Sequence, residues 1–202
     1  KGVKEIILAW EILYKKYLNL TPPMWFIGGT AEDISKYRRI IKEYVPDLET
    51  YEQQHKIYWW GFLSDAGISN VLLKCSVLIM HSAFEPGGRV ILEAMSSGKP
   101  VIATYSGFGN NYVQDWYNGF HVEYGDFQKL SRYLELFITN PYLANMLGIN
   151  SKSLFREINR NWDYFRRISD LYFGFGTSEY TYKGNLFYKK MQPQYPNLID
   201  AF

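Results

Sequence analysis

"FEPGGRVILEAMSSGKPVIAT", Phe84 to Thr104, sets Glu85 and Glu93 on either side of a Gly-Gly pair, ahead of a Gly-Lys-Pro stop and a β-branched run. Glu93 lies eight residues after Glu85, a little over two helical turns, so on one continuous helix both carboxylates would share a side. The intervening residues forbid that helix. Pro86, Gly87 and Gly88 follow Glu85, and paired glycines read as a turn or a close backbone approach. The helix is therefore expected to begin near Gly88 or Arg89. Glu85 then stands on a loop just outside its N-terminus, and Glu93 stands one turn inside it.

Outward from this stretch, strands and helices alternate. Val3, Ile6, Ile7, Trp10, Leu13, Tyr14 and Tyr17 recur at helical spacing, and Thr21-Pro22-Pro23 stops them. "MWFIGG" (Met24 to Gly29) reads as a buried strand, Ala31 to Tyr44 as a polar helix, and "IYWWGFL" (Ile57 to Leu63) as the next strand. A helix near Ala66 to Lys74, the strand "VLIM" (Val77 to Met80), the helix Arg89 to Ser97 and the strand "VIAT" (Val101 to Thr104) follow. Continuous apolar strands alternating with helices are the pattern of a parallel sheet buried on both faces, so the fold class is a Rossmann-like, doubly wound α/β domain. Tyr105 to Val122 reads as a glycine-punctuated loop with a short helix, closed by a short strand at Phe120 to Val122. Phe127 to Asn140, Pro141 to Asn159 and Asp163 to Phe173 read as helices, the second with proline in its first turn. The domain is expected to span residues 1–173. From Gly174 to Phe202 periodicity gives way to Gly, Pro and Tyr, an irregular aromatic tail. A chain that opens in a helix without preamble is expected to be the second part of something longer.

Composition narrows the function classes. The 202 residues, 47% hydrophobic, suffice for one substantial core, and a net charge of +2 without a Lys/Arg block disfavours nucleic acid as partner. No apolar run approaches the roughly 20 residues that span a bilayer, and the N-terminus has no signal-peptide architecture. The expectation is a cytoplasmic protein, with peripheral attachment to a membrane compatible with it. Cys75, the single cysteine, falls in an apolar segment and reads as a core thiol. His81 at a strand end reads as a satisfied structural histidine. Eighteen tyrosines, thirteen phenylalanines and six tryptophans are unusually many, and they read as large packing residues of the core and tail.

In open parallel sheets ligands bind beyond the carboxyl ends of the strands. Four loops fit that place: Gly28-Gly29-Thr30, Gly61-Phe62-Leu63, His81 to Gly88, and Ser106 to Asn111. A Gly-Gly loop feeding a helix lets backbone amides and the helix dipole meet an anion, which is a phosphate site. Glu93 can accept hydrogen bonds from a ribose, and Glu85 from a second hydroxylated group. The spacing suits a diphosphate with a sugar at each end, a nucleotide sugar. The competing reading is electrostatic: Glu85 as a helix-start charge, and Glu93 as the i,i+4 partner of Arg89.

"SAFEPGGRVILEAMSSGKPVIAT" resembles the E-x7-E signature of the retaining GT-B glycosyltransferases of family 4. "KGV", "WGFL", "YSGFGN", "NGFHV" and "NWDYFRRISDLY" match in the same order, over about Lys1 to Tyr172. The resemblance implies the C-terminal, donor-binding half of a GT-B fold. It implies that Glu85 holds hydroxyls of the transferred sugar, that the amides of Gly87, Gly88 and Arg89 cradle the diphosphate, and that Glu93 binds ribose. Lys1 would neutralise the leaving diphosphate, Gly28 and Gly29 would line the donor site, and the base would lie near Phe62 and Leu63. No metal and no cofactor beyond the nucleoside-diphosphate sugar are implied, since a lysine and helix dipoles serve the leaving group.

Departures from the family stand at Asn111, where an acidic residue is usual, at Arg89, commonly apolar, and at His81, frequently proline. In the family a strand, an arginine paired with the lysine, and an acceptor-binding N-terminal domain come before the lysine. The resemblance thus implies that this chain supplies one wall of a cleft, its partner an N-terminal domain or another chain. Alternatives are a stand-alone, non-catalytic nucleotide-sugar-binding or regulatory module, and a nucleotide-sugar epimerase, which would leave the E-x7-E pattern unexplained.

Overall fold

The computed structural model describes residues 2–85, 88–107 and 111–161. The expectations for Lys1, Gly87, the helix Asp163 to Phe173 and the tail from Gly174 lie outside the described residues. The chain divides into two units, Lys1–Ile158 and Asn159–Phe202. The first carries the alternation read above: α1 (Val3–Tyr17), β1 (Met24–Phe26), α2 (Ala31–Lys42), α3 (Leu48–Gln53), β2 (Ile57–Trp59), α4 (Asp65–Lys74), β3 (Leu78–Met80), α5 (Arg89–Ser96), β4 (Val101–Thr104), β5 (Gly119–Val122), α6 (Phe127–Thr139) and α7 (Pro141–Asn161), whose last residues enter the second unit.

Side-chain alternation along β4 shows why the sheet is covered twice. Ile102 joins Phe120 and Val122 of β5 in a cluster with α1 (Ile6, Ala9, Leu13) and α6 (Leu130, Leu134, Phe137). Val101 and Ala103, one residue either side, point the other way into α4 (Leu72), α5 (Ile91, Ala94, Met95) and Leu154 of α7. Each fully buried aliphatic side chain contributes roughly 1.5–3 kcal/mol by leaving water. This is the doubly wound, Rossmann-like arrangement. A third cluster, Ile7 and Trp10 of α1 with Ile41, Val45, Leu48, Tyr51 and Ile57, secures α2 and α3 against β2.

Among the described residues all strand pairs are parallel, but the strands do not form one continuous sheet. β1 pairs with β2, and β3, β4 and β5 pair in that order, while β1 and β3 share no ladder. The reading of Ile57 to Leu63 as strand is also shortened to Ile57–Trp59, because Gly61 turns the backbone at φ +63°.

Close packing of β4 on β5 rests on Gly119, which is registered with Val101; a Cβ there would run into the Val101 carbonyl. Gly125, at φ +93°, has open space around it. Gly119→Ala should lower stability by about 2 kcal/mol or more, the cost of overpacking against backbone. Gly125→Ala should cost about 1 kcal/mol, for left-handed strain alone. Urea unfolding of the two variants separates these, and equal losses would contradict the register.

Candidate functional site

The carboxyl ends of the strands carry the loops singled out from sequence. β1 ends in Gly28 (φ +97°) and Gly29 (φ +86°), and Thr30 then caps α2 through a reciprocal box with Asp33. The Gly28 N–H donates to the Gly61 carbonyl at 2.6 Å, tying the exit of β1 to that of β2. Beyond Gly61, Phe62 is exposed and Leu63 half-buried, and Ser64 caps α4 by accepting from the Gly67 N–H at 3.2 Å.

The exit of β3 is pinned to that of β4 by hydroxyls. Thr104 Oγ1 donates to the Ser82 carbonyl at 2.6 Å and accepts from the Ser82 N–H at 3.2 Å, and Ser106 Oγ donates to the same carbonyl at 3.2 Å. Gly107 (φ +45°) lies so close to the Glu85 carbonyl that a Cβ would collide with it. Sequence reading missed this network; a Thr and a Ser directly after a buried strand, followed by Gly, are the signal that marks it.

α5 opens as the sequence predicts. Gly88 is its N-cap, with no side chain capping it, so first-turn amides remain to serve a ligand. Glu85 stands half-buried on the loop before it, and Glu93 one turn inside. Arg89 Nε donates to Glu93 Oε1 at 2.7 Å, and Arg89 Nη2 lies 3.5 Å from Asp65 Oδ1. The ion pair weighed as the competing reading is thus formed. Arg89 is 76% exposed, and such an exposed i,i+4 pair is worth only about 0.3–0.5 kcal/mol, little against a ligand that would take Glu93 over.

Gly28, Phe62, Leu63, Ser82, His81 and Glu93 line one cavity of about 560 Å³. Its lining leaves out Gly29, Glu85, Gly88 and Arg89, so the structure brings only part of the expected set to a common wall. Among the described residues no three His, Cys, Asp or Glu side chains gather as a metal-binding group. Cys75 donates to the Leu72 carbonyl at 3.4 Å, and burial pushes its thiol above the usual range, in keeping with a core thiol.

His81 differs from expectation. It is 3% exposed and stacks on Tyr124 at 5.2 Å, yet neither ring nitrogen has a hydrogen-bond partner among the described residues. It is buried but not satisfied. Gly2 explains how the ring fits: a Cβ at Gly2 would overlap the imidazole, while the Gly2 N–H donates to the His81 carbonyl at 2.8 Å. Burial holds the His81 pKa below its usual value, with the charges of Glu5 and Asp126 pulling the other way.

The family model described as glycosyl transferases group 1 matches residues 1–154. An uncharacterized glycosyltransferase of Methanocaldococcus jannaschii is 27% identical over 164 residues, 80% of this chain and 39% of its own length. Among solved structures, Anabaena HepE in complex with UDP superposes with a TM-score of 0.67 at 23% identity, over 84% of this chain and 45% of that one, a likeness of fold. The C-terminal domain of a glycosyl transferase group 1 family protein of Francisella tularensis superposes with a TM-score of 0.66 at 26% identity, over 80% of each chain. The chain thus spans less than half the length of the first two proteins.

The neutral, buried His81 has a pH signature. Its folded pKa is depressed, so its contribution is present above the unfolded value of about 6.5 and is lost as pH falls below it, where the unfolded chain takes up the proton. His81→Leu should flatten the fall in melting temperature between pH 7 and pH 5. An unchanged slope would contradict this account of His81.

Proposed function

The chain belongs to the glycosyl transferases group 1, and from that premise we propose that it is the donor-binding, C-terminal domain of a family 4 enzyme of the GT-B fold. That enzyme transfers a sugar from a nucleoside diphosphate with retention at the anomeric carbon. The observation that carries the reading is the start of α5 at the carboxyl ends of parallel strands: an uncapped Gly88, Glu93 one turn inside and Glu85 on the loop outside. UDP in the Anabaena protein and the C-terminal designation of the Francisella domain support it.

In this reading the amides of Gly87, Gly88 and Arg89 hold the diphosphate, and Lys1 meets the negative charge that grows on it as the sugar–phosphate bond breaks. Glu93 exchanges Arg89 for the ribose hydroxyls. Phe62 and Leu63 flank the base, Gly28 and Gly29 allow close approach, and Glu85 holds hydroxyls of the transferred sugar. The positive potential comes from backbone and lysine, so no metal is needed. The acceptor is held by an N-terminal domain or a partner chain. The Arg89–Glu93 ion pair favours a second reading, in which the two carboxylates serve the helix alone.

Calorimetric titration with UDP and a UDP-sugar, in chelator, separates the two. Glu93→Gln should weaken both ligands by about 1.5–3 kcal/mol through lost charge-assisted hydrogen bonds. Glu85→Gln should leave UDP nearly untouched and weaken only the UDP-sugar. Equal, small effects on both ligands would favour the helix-charge reading, and strict dependence on Mg²⁺ would overturn the metal-free site.

A further inference from the structure

Within each half-sheet the strands run parallel, so the segments that enter them gather at the edge opposite the Glu85 and Glu93 loop. Pro22 and Pro23, before β1, border the same cavity as Lys74 and Ser76, before β3, so the two entry edges adjoin. Lys56, before β2, donates through Nζ to Asn19 Oδ1 at 3.3 Å, and Lys99, before β4, donates to the Leu73 carbonyl at 3.0 Å. α7 crosses the entries of β4 and β5: Asn150 Nδ2 donates to the Tyr117 carbonyl at 2.8 Å, and a Cβ at Gly148 would strike the Gly98 carbonyl. On this edge Leu18, Leu20, Leu73, Tyr142 and Ile149 are between 61% and 74% exposed. Leu18 joins none of the core clusters and holds φ +49° at the C-cap of α1, a backbone value that favours glycine. Neither packing nor backbone preference accounts for a leucine there.

The charge on this edge is of one sign. Along α7, Tyr142, Asn145, Ile149, Lys152 and Arg156 are all exposed and recur at three- and four-residue spacing, one helix face turned to solvent. Lys56, Lys74 and Lys99 stand on the neighbouring segments, and residues 18–23, 54–56, 75–77, 97–100 and 117–118, which lead into the five strands, contain no Asp or Glu. The carboxylates closest to them in the fold are engaged: Glu11 by Lys15 at 2.9 Å, Glu135 by Lys16 at 2.6 Å, and Glu52 by Arg38. The exit edge is the reverse, with Asp65, Glu85, Glu123 and Asp126 on its loops and helix starts.

We propose that the entry edge is a membrane-attachment surface, which lays Leu18, Leu20, Leu73, Tyr142 and Ile149 into the headgroup layer of a bilayer rich in anionic phospholipid, with the lysines and Arg156 over the phosphates. Among the described residues no helix is long and apolar enough to cross a membrane, so the contact is interfacial. Apolar anchors that stand one or two to a segment, with cations between them, suit a fluid interface, whereas a protein partner selects a contiguous apolar patch. Each exposed lysine or arginine adds attraction to the lipid charge, and a tyrosine ring is amphipathic enough to sit at headgroup depth. The Glu85 and Glu93 loop lies at the opposite edge, so the bilayer is an anchor here and does not enter that site. The surface stands on the entry segments and α7, whatever the site binds.

Flotation of the 202-residue chain with vesicles tests this, one set of phosphatidylcholine alone and one of equal parts phosphatidylcholine and phosphatidylglycerol. Binding is expected to the anionic set alone, and it should fall with salt, since the screening length shortens from about 10 Å at 0.1 M to about 3 Å at 1 M. Leu20→Ser with Ile149→Ser should weaken binding at least about tenfold by removing inserted apolar area. Lys74→Glu with Lys152→Glu should weaken it at least about tenfold at low salt. Phe84→Ser, a change of an equally exposed residue on the exit side, should leave it unchanged. All the substituted side chains are exposed, and melting temperatures matching the unaltered chain establish that the variants fold. No binding of the unaltered chain to anionic vesicles would overturn the proposal, as would equal binding to neutral ones or a loss as large with Phe84→Ser. Loss through the charge reversals alone would overturn insertion of the leucines. A dimer in solution that the serine pair breaks would assign the face to a second copy and displace the bilayer. Vesicle binding by a chain with no affinity for UDP would support the surface while overturning the donor-site reading alone.

Discussion

The exit of β3 is the point on which the site depends. Within two residues the chain accepts the Gly2 N–H at His81, then gives its Ser82 carbonyl to Thr104 and Ser106 and its Ser82 amide to Thr104. The hydrogen bonds at Ser82 are buried or partly so, and a buried hydrogen bond left unmade costs roughly 1–3 kcal/mol. The strand end is thereby held to the start of α1 and to the exit of β4. Beyond that fixed point, Gly107 lies against the Glu85 carbonyl, so the exit of β4 also borders the residue that carries the first glutamate. α5 then begins at Arg89, with Gly88 as its N-cap.

Packing then divides the labour. The clusters on either face of β4 secure the half-sheet that carries Glu85 and Glu93, while α2 and α3 secure the half-sheet that carries Gly28 and Phe62. α1 belongs to clusters on both halves, through Ile6, Ala9 and Leu13 on one side and Ile7 and Trp10 on the other. It bridges the two half-sheets where their backbones do not. A nucleotide held by Gly28 and Phe62 at one end and by α5 at the other would draw on both halves.

Most of this architecture was legible in local sequence. Helical spacing set α1 and α6, and paired glycines marked the turns before α2 and α5. The two glutamates could be assigned to loop and helix because Pro86 and the glycines forbid one continuous helix. What escaped was either too short or non-local. α3 offers only Leu48 and Tyr51 as buried apolar positions, too few for periodicity to register. The break between β1 and β3 is a matter of pairing between segments about fifty residues apart, and apolar strands read the same whether their edges are paired or open. His81 read as a satisfied residue because residue type conveys burial but not which partners the fold supplies. The Arg89–Glu93 pair was visible as a spacing, yet spacing cannot say whether it yields to a ligand.

The structure of the chain with UDP bound tests the central claim most directly. The account predicts diphosphate oxygens about 3 Å from the amides at the start of α5, and the ribose hydroxyls on Glu93 with Arg89 displaced from it. UDP bound away from α5, or a bound state that keeps the Arg89–Glu93 pair intact with no ligand on Glu93, would contradict it.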